Sequence, residues 1–196
     1  SGKPVSALTD FVAGHSLGEY SALAAAGTLE IQDAAHLLRL RGDSMQKAVP
    51  VGAGAMAALL GADLELADAI VAESSDAGLV QIANDNAPGQ IVVSGSLAGV
   101  EKAMAVAKEK GVRRALKLPV SAPFHCDLMA PAAQEMAAAL ATASMKDAAM
   151  PVICNISASG ETSASALRQN LVAQVTGRVR WRETLLELHS KGVTRF

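Results

Sequence analysis

Apolar positions in this chain fall into short strand-like runs separated by longer stretches with helical spacing, an alternation that predicts an α/β fold. The first run, residues 10–14, breaks at Ser16 into a helix expected over 17–26, which Gly27 ends as a C-cap glycine. In the next helix Ala34, Leu37, Leu38 and Arg41 recur at i, i+3, i+4 and i+7, so Arg41 is expected on the buried face. From Gly54 onward the pattern reads as strand 55–60, helix 64–73, strands 80–84 and 91–94, helix 100–110 and strand 113–118. This β-α-β-β-α-β series predicts a ferredoxin-like module over 54–118, with Asp85-Asn86-Ala87-Pro88-Gly89 as its central connection. The remaining segments, 1–53 and 119–196, are expected to form a larger unit into which the module is inserted, with helices over 130–141, 164–175 and 182–190 and a strand over 152–155.

Composition narrows the class. The chain has 196 residues, 51% hydrophobic but only 3% aromatic, so small side chains are expected to pack helices closely onto Val, Ile and Leu strands. A net charge of −2 with both signs dispersed gives no expectation of nucleic acid or membrane as a partner. No apolar run approaches the roughly 18 residues a membrane helix needs, and no secretory pattern precedes the first strand. Cys126 and Cys154 fit neither metal nor redox spacing and read as free thiols of a cytoplasmic protein. The four histidines show no metal-ligand pattern, so neither metal nor cofactor is expected. The chain starts without Met and stops where an apolar strand pattern begins, so both ends of the larger unit are expected to be truncated.

The chemistry is concentrated in Gly14-His15-Ser16-Leu17-Gly18-Glu19. A serine between strand and helix, flanked by glycines at this spacing, lifts its hydroxyl clear of the sheet and faces the helix N-terminus, the geometry of an acyl-transfer nucleophile. The string alone recurs by chance in about one chain in ten of this length and composition, and a serine that merely caps the helix is the plain alternative. Gly14 and Gly18 are expected to be required because side chains there would clash across the turn.

Such a serine needs a base. His125, in the loop Ser121-Ala122-Pro123-Phe124-His125, is the candidate; His15 is expected to support the elbow or its entrance, and His36 and His189 to lie on the surface. No aspartate stands out to orient the imidazole, Asp127 being too close in sequence, so a backbone carbonyl is the remaining orienter. A buried Arg41 demands an anionic or hydrogen-bonding partner: either Asp33 or Asp43 within the chain, or a substrate carboxylate.

Three segments, Gly14 to Glu19, Arg39-Leu40-Arg41-Gly42-Asp43-Ser44-Met45-Gln46 and Pro119-Val120-Ser121-Ala122-Pro123-Phe124-His125-Cys126-Asp127-Leu128-Met129, resemble in order and spacing the malonyl-CoA:acyl carrier protein transacylases of bacterial fatty acid synthesis. Ile82 to Gln90 and Leu171 to Trp181 add further matches, so the resemblance spans essentially the whole chain. It implies an α/β-hydrolase-like core, Ser16 as nucleophile, His125 as base oriented by the backbone carbonyl of Gln174, and the Leu17 amide as an oxyanion donor. It also implies that Arg41 binds the malonyl carboxylate, with Phe124, His15 and Asn86 on the substrate-binding side. Malonyl-CoA and an acidic acyl carrier protein are the implied partners of an expected monomer. Arg113, Arg114, Lys117, Arg178, Arg180 and Arg182 offer the basic docking groups. Family members also carry a Gly-Gln-Gly type loop before the elbow, whose glutamine supplies a second oxyanion contact. Loss of one such donor typically costs on the order of a hundredfold in rate, so this chain by itself is expected to be weak or inactive. The alternatives are an α/β-type serine hydrolase or thioesterase and a non-catalytic acyl-binding fragment.

Overall fold

The computed structural model describes residues 2–196, and its architecture is α/β. Strand β1 (Val12–Ala13) leads to helix α1 (Gly18–Ala25) and then to α2 (Ile31–Lys47). The middle of the chain forms β2 (Gly54–Leu60), α3 (Leu64–Ser74), β3 (Val80–Ala87), β4 (Gln90–Ser96), α4 (Leu97–Glu109) and β5 (Arg114–Lys117). After a long loop come α5 (Ala130–Thr142), β6 (Val152–Ile153), β7 (Gly160–Glu161), α6 (Ala164–Thr176) and α7 (Trp181–Ser190).

There are two sheets. One has the order β1-β6-β7, with β1 parallel to β6; the other has the order β3-β4-β2-β5 and is antiparallel throughout. Each sheet carries its own apolar cluster. Tyr20, Leu23, Leu37, Met45, Met136, Leu140, Leu167 and Leu171 pack around the first, and Leu59, Ile70, Val93, Val100 and Val106 around the second. Parallel pairing of β1 with β6 brings the segments after both strands, Gly14 to Ser16 and Cys154 to Asn155, to one carboxyl edge, where α/β sheets place their ligands.

Local chemistry sets several boundaries. Gly27 has φ +75°, the Thr28 amide donates to the Leu23 carbonyl at 2.9 Å and the Gly27 amide to Ala24 at 3.1 Å, so the expected C-cap glycine closes α1 as a Schellman motif. Helix α4 starts at Leu97 rather than residue 100 because the Ser96 hydroxyl caps the Gly99 amide. The first strand is shorter than expected, two residues, and β7 was not anticipated from so brief a pattern.

The expected connection Asp85 to Gly89 is corrected. Strand β3 runs on through Ala87, leaving only Pro88 and Gly89 as the turn. Two pairings extend it: the ladder with β4 continues, pairing Asp85 with Ile91 and Ala87 with Gln90, and on the other edge the Asp85 amide donates to the Val179 carbonyl at 2.9 Å and the Val179 amide to Ala83 at 2.8 Å. A local propensity reading has no access to the Val179 contact. Among the described residues no helix is long and apolar enough to cross a membrane.

Candidate active site

The elbow is built from close backbone approach. A Cβ on Gly14 would lie 2.0 Å from the Gly18 carbonyl oxygen, so only glycine fits there. Gly18 differs from expectation: a Cβ there would meet nothing within 4 Å, so its own side-chain space is open. Ser16 stands between them at φ 51°, a left-handed conformation costly for a side chain and usual at a nucleophile turn.

The Ser16 hydroxyl lies 2.8 Å from His125 Nε2. On the far side of the ring, Nδ1 is 2.9 Å from the Gln174 carbonyl. A carbonyl only accepts, so Nδ1 carries the proton and Nε2 presents its lone pair to the serine hydroxyl. Burial, with the Arg41 charge nearby, pushes His125 down to about 4, so the ring is neutral through the mildly acidic range. His125 is itself held at φ 59°.

Arg41 lies on the buried face of α2, 6% exposed. Its Nη2 donates to Ser16 Oγ at 3.0 Å and to Gln174 Oε1 at 3.1 Å, while its buried Nε has no acceptor among the described residues. Neither Asp33 nor Asp43 is its partner; Asp43 pairs with Arg39 at 3.0 Å. Burial lowers the Arg41 guanidinium below its ordinary value, opposed by Tyr20 and Glu19.

Three features escaped the sequence reading. Gln174 contributes its side chain as well as its carbonyl: Nε2 donates to the Ser16 carbonyl at 3.0 Å and to Glu19 Oε2 at 2.7 Å. Glu19, wholly buried, also accepts the Asn155 amide at 3.0 Å. Asn155 in turn receives the Ser16 amide on Oδ1 at 2.6 Å and donates to the Gly14 carbonyl at 2.8 Å. The available signals were a carboxylate in the first turn of a helix otherwise rich in Ala and Leu, and a polar residue directly after a buried apolar strand.

The other expected residues fall around this centre. Leu17, 58% exposed, opens α1, and its amide has no acceptor among the described residues. Phe124 is partly buried beside His125. His15 turns away from Ser16: its Nε2 is 2.7 Å from Asn86 Oδ1, and its ring meets Trp181 edge-on. Asp127 exchanges two hydrogen bonds with Gln81 rather than reaching the base. His36 and His189 are exposed, and both cysteines are free and buried. No group of three or more metal-ligating side chains occurs among the described residues.

This arrangement coincides with a family. The model of the acyl transferase domain matches residues 7–194. The chain belongs to the acyl transferase domain family. Malonyl CoA-acyl carrier protein transacylase of Bacillus subtilis is 49% identical over 188 residues, covering 95% of the chain, and its namesake in Escherichia coli K12 is 44% identical over 186 residues, covering 93%. The chain spans about 59% of the length of both relatives. Among solved structures, an acyl-carrier-protein-S-malonyltransferase from Bartonella henselae superposes with TM-score 0.95 at 52% identity, over 98% of this chain and 61% of that one. A type II PKS acyl-carrier protein in complex with its malonyl-transacylase matches with TM-score 0.91 at 43% identity, over 94% of this chain and 60% of the other. Acyl transfer is what a serine, a neutral histidine and a buried arginine at these distances can perform.

Proposed function

We propose that this chain carries the acyl-transfer centre of a malonyltransferase that moves malonyl from malonyl-CoA to the phosphopantetheine thiol of an acyl carrier protein in fatty acid biosynthesis. The observation that carries the reading is a single oxygen, Ser16 Oγ, within 2.8 Å of a neutral imidazole nitrogen and 3.0 Å of a guanidinium. The names of the relatives and the carrier-protein complex of a structural neighbour support the substrates.

In the first half-reaction Ser16 Oγ attacks the thioester carbon as its proton passes to His125 Nε2. The oxyanion forms opposite the Leu17 amide at the positive end of α1. Collapse breaks the carbon–sulfur bond, and His125 returns the proton to the departing CoA thiolate. The second half reverses the roles: the carrier thiol gives its proton to His125, its sulfur attacks the malonyl-serine ester, and Ser16 Oγ regains the proton. The Gln174 carbonyl holds the tautomer but stabilises imidazolium less than a carboxylate does, and Arg41 lends positive charge beside the same oxygen. The guanidinium then pairs the malonyl carboxylate. Phe124 walls the acyl group, and the His15–Asn86 pair borders the entrance. All protons and charges in this scheme belong to the chain and its substrates, so no cofactor is proposed.

The finer architecture is read in the same way. The strand order β3-β4-β2-β5 with two helices supports a ferredoxin-like subdomain over 54–118. The parallel β1–β6 pair with its elbow supports a hydrolase-like subdomain formed by 1–53 and 119–196.

The test is product analysis with malonyl-CoA and a phosphopantetheine-bearing carrier protein. Malonyl-carrier formation with parallel double-reciprocal lines is expected of the intact protein. Release of free malonate with no malonyl-carrier would mark a hydrolase.

A further inference from the structure

We infer that Glu19 is a positioning residue of this site, setting the side-chain amide of Gln174, and through it Arg41, while pinning Asn155 beneath the nucleophile. The inference rests on the acyl-transfer reading above. The Gln174 amide has two hydrogens, which go to the Ser16 carbonyl at 3.0 Å and to Glu19 Oε2 at 2.7 Å. Both partners only accept, so Oε1 is left to receive Arg41 Nη2 at 3.1 Å. Were the amide reversed, its oxygen would oppose two acceptors and its N–H groups would face the guanidinium. Glu19 thereby removes the ambiguity of the amide and gives Arg41 one orientation.

The same carboxylate oxygen accepts the Asn155 amide at 3.0 Å, and the Asn155 side chain bridges the Ser16 amide and the Gly14 carbonyl. One oxygen on α1 thus ties α6 and the segment after β6 to the elbow. The burial argues against a packing role. Glu19 is wholly buried in a short helix otherwise rich in Ala and Leu, and its Oε1 has no partner among the described residues. An apolar residue would fill that place without the desolvation cost. What the carboxylate adds is an acceptor for two donors of the site.

The experiment measures loading of Ser16 from malonyl-CoA and from acetyl-CoA on the intact protein, by intact mass, over a range of donor concentrations. Glu19→Ala is expected to lower the malonyl-over-acetyl preference by about tenfold or more and to raise the half-saturating malonyl-CoA concentration. Glu19→Gln, whose single amide oxygen can accept from both donors, is expected to recover the preference to within about threefold of the parent. Gln174→Ala, which keeps the carbonyl that holds His125, is expected to reproduce the loss of preference seen in Glu19→Ala. A folded Glu19→Ala with the parent's preference, or a Glu19→Gln as impaired as Glu19→Ala, overturns the proposal. If Glu19→Ala does not fold, Gln174→Ala decides: the parent's preference in that variant overturns it. A parent that takes an acyl group from neither donor overturns the acyl-transfer reading itself, and is recognised before any variant is compared.

Discussion

Ser16 and His125 face each other across the site with φ 51° and φ 59°, so both halves of the proton-transfer pair sit in backbone conformations that cost on the order of 1 kcal/mol or more each. Such positions persist where the surroundings over-determine them, here through Asn155 beneath Ser16 and Gln174 behind His125. A base depressed to about 4 stays neutral well below ordinary histidine titration, so serine loading is predicted to hold as pH falls and to drop near pH 4. Because Arg41 lowers that value, Arg41→Ala should move the acid limb upward, read from loading rate against pH. The same depression makes the fold progressively less stable as pH falls from about 6.5 toward 4, because over that range the unfolded chain binds a proton that buried His125 does not. Arg41→Ala should also reduce malonyl loading far more than acetyl loading, since a neutral acyl group never engages the guanidinium; equal losses would contradict its assignment to the carboxylate. At this scale the sequence made Ser16, His125, Arg41 and the Gln174 carbonyl legible through motif order. Glu19 and Asn155 stayed hidden because their roles arise only when segments 136 residues apart meet.

Elements place these residues by close approach rather than by length. Strands β1 and β6 have two residues each, yet their parallel register sets the elbow beside Asn155. The two elbow glycines now make different predictions. Gly14→Ala drives a Cβ into backbone and should lower the melting temperature and abolish loading. Gly18→Ala meets open space and gains helix propensity of at most ~1 kcal/mol, so its melting temperature should not fall. A thermal melt of each variant separates the two. Helix periodicity placed Ala34, Leu37 and Arg41 correctly on the buried face of α2, whereas Leu38 is only half-buried and Ser44 and Met45 extend that face by a further turn. Strand extents were less legible: β3 continues to Ala87 along its ladder with β4, with Val179 paired on its other edge, and β7 exists only as a partner of β6.

Across the whole molecule, the sides of the two sheets meet through the Val179 backbone pairing, through Phe124 packed against apolar clusters on both, and through polar side chains: His15 with Asn86, Gln81 with Asp127, and Arg182 bidentate to the wholly buried Asp85. Arg182→Ala leaves that carboxylate unpaired and should cost about 3 kcal/mol in unfolding free energy, measured by denaturant titration. The pairing also divides the basic groups expected to meet a carrier protein. Arg178 and Arg180 are engaged by Glu183 and Arg182 by Asp85, whereas Arg113 and Arg114 are exposed on the other flank of the smaller sheet. Charge reversal at Arg113 and Arg114 is therefore predicted to raise the apparent KM for the carrier protein while leaving malonyl loading from CoA unchanged. Charge counting along the sequence could not make this distinction, because Asp85 lies 97 residues from Arg182. The central claim, that Ser16 accepts the malonyl group, is tested most directly by intact mass after mixing the protein with malonyl-CoA, beside Ser16→Ala. One malonyl group on the parent and none on the variant is the predicted result; equal labelling of both would contradict it.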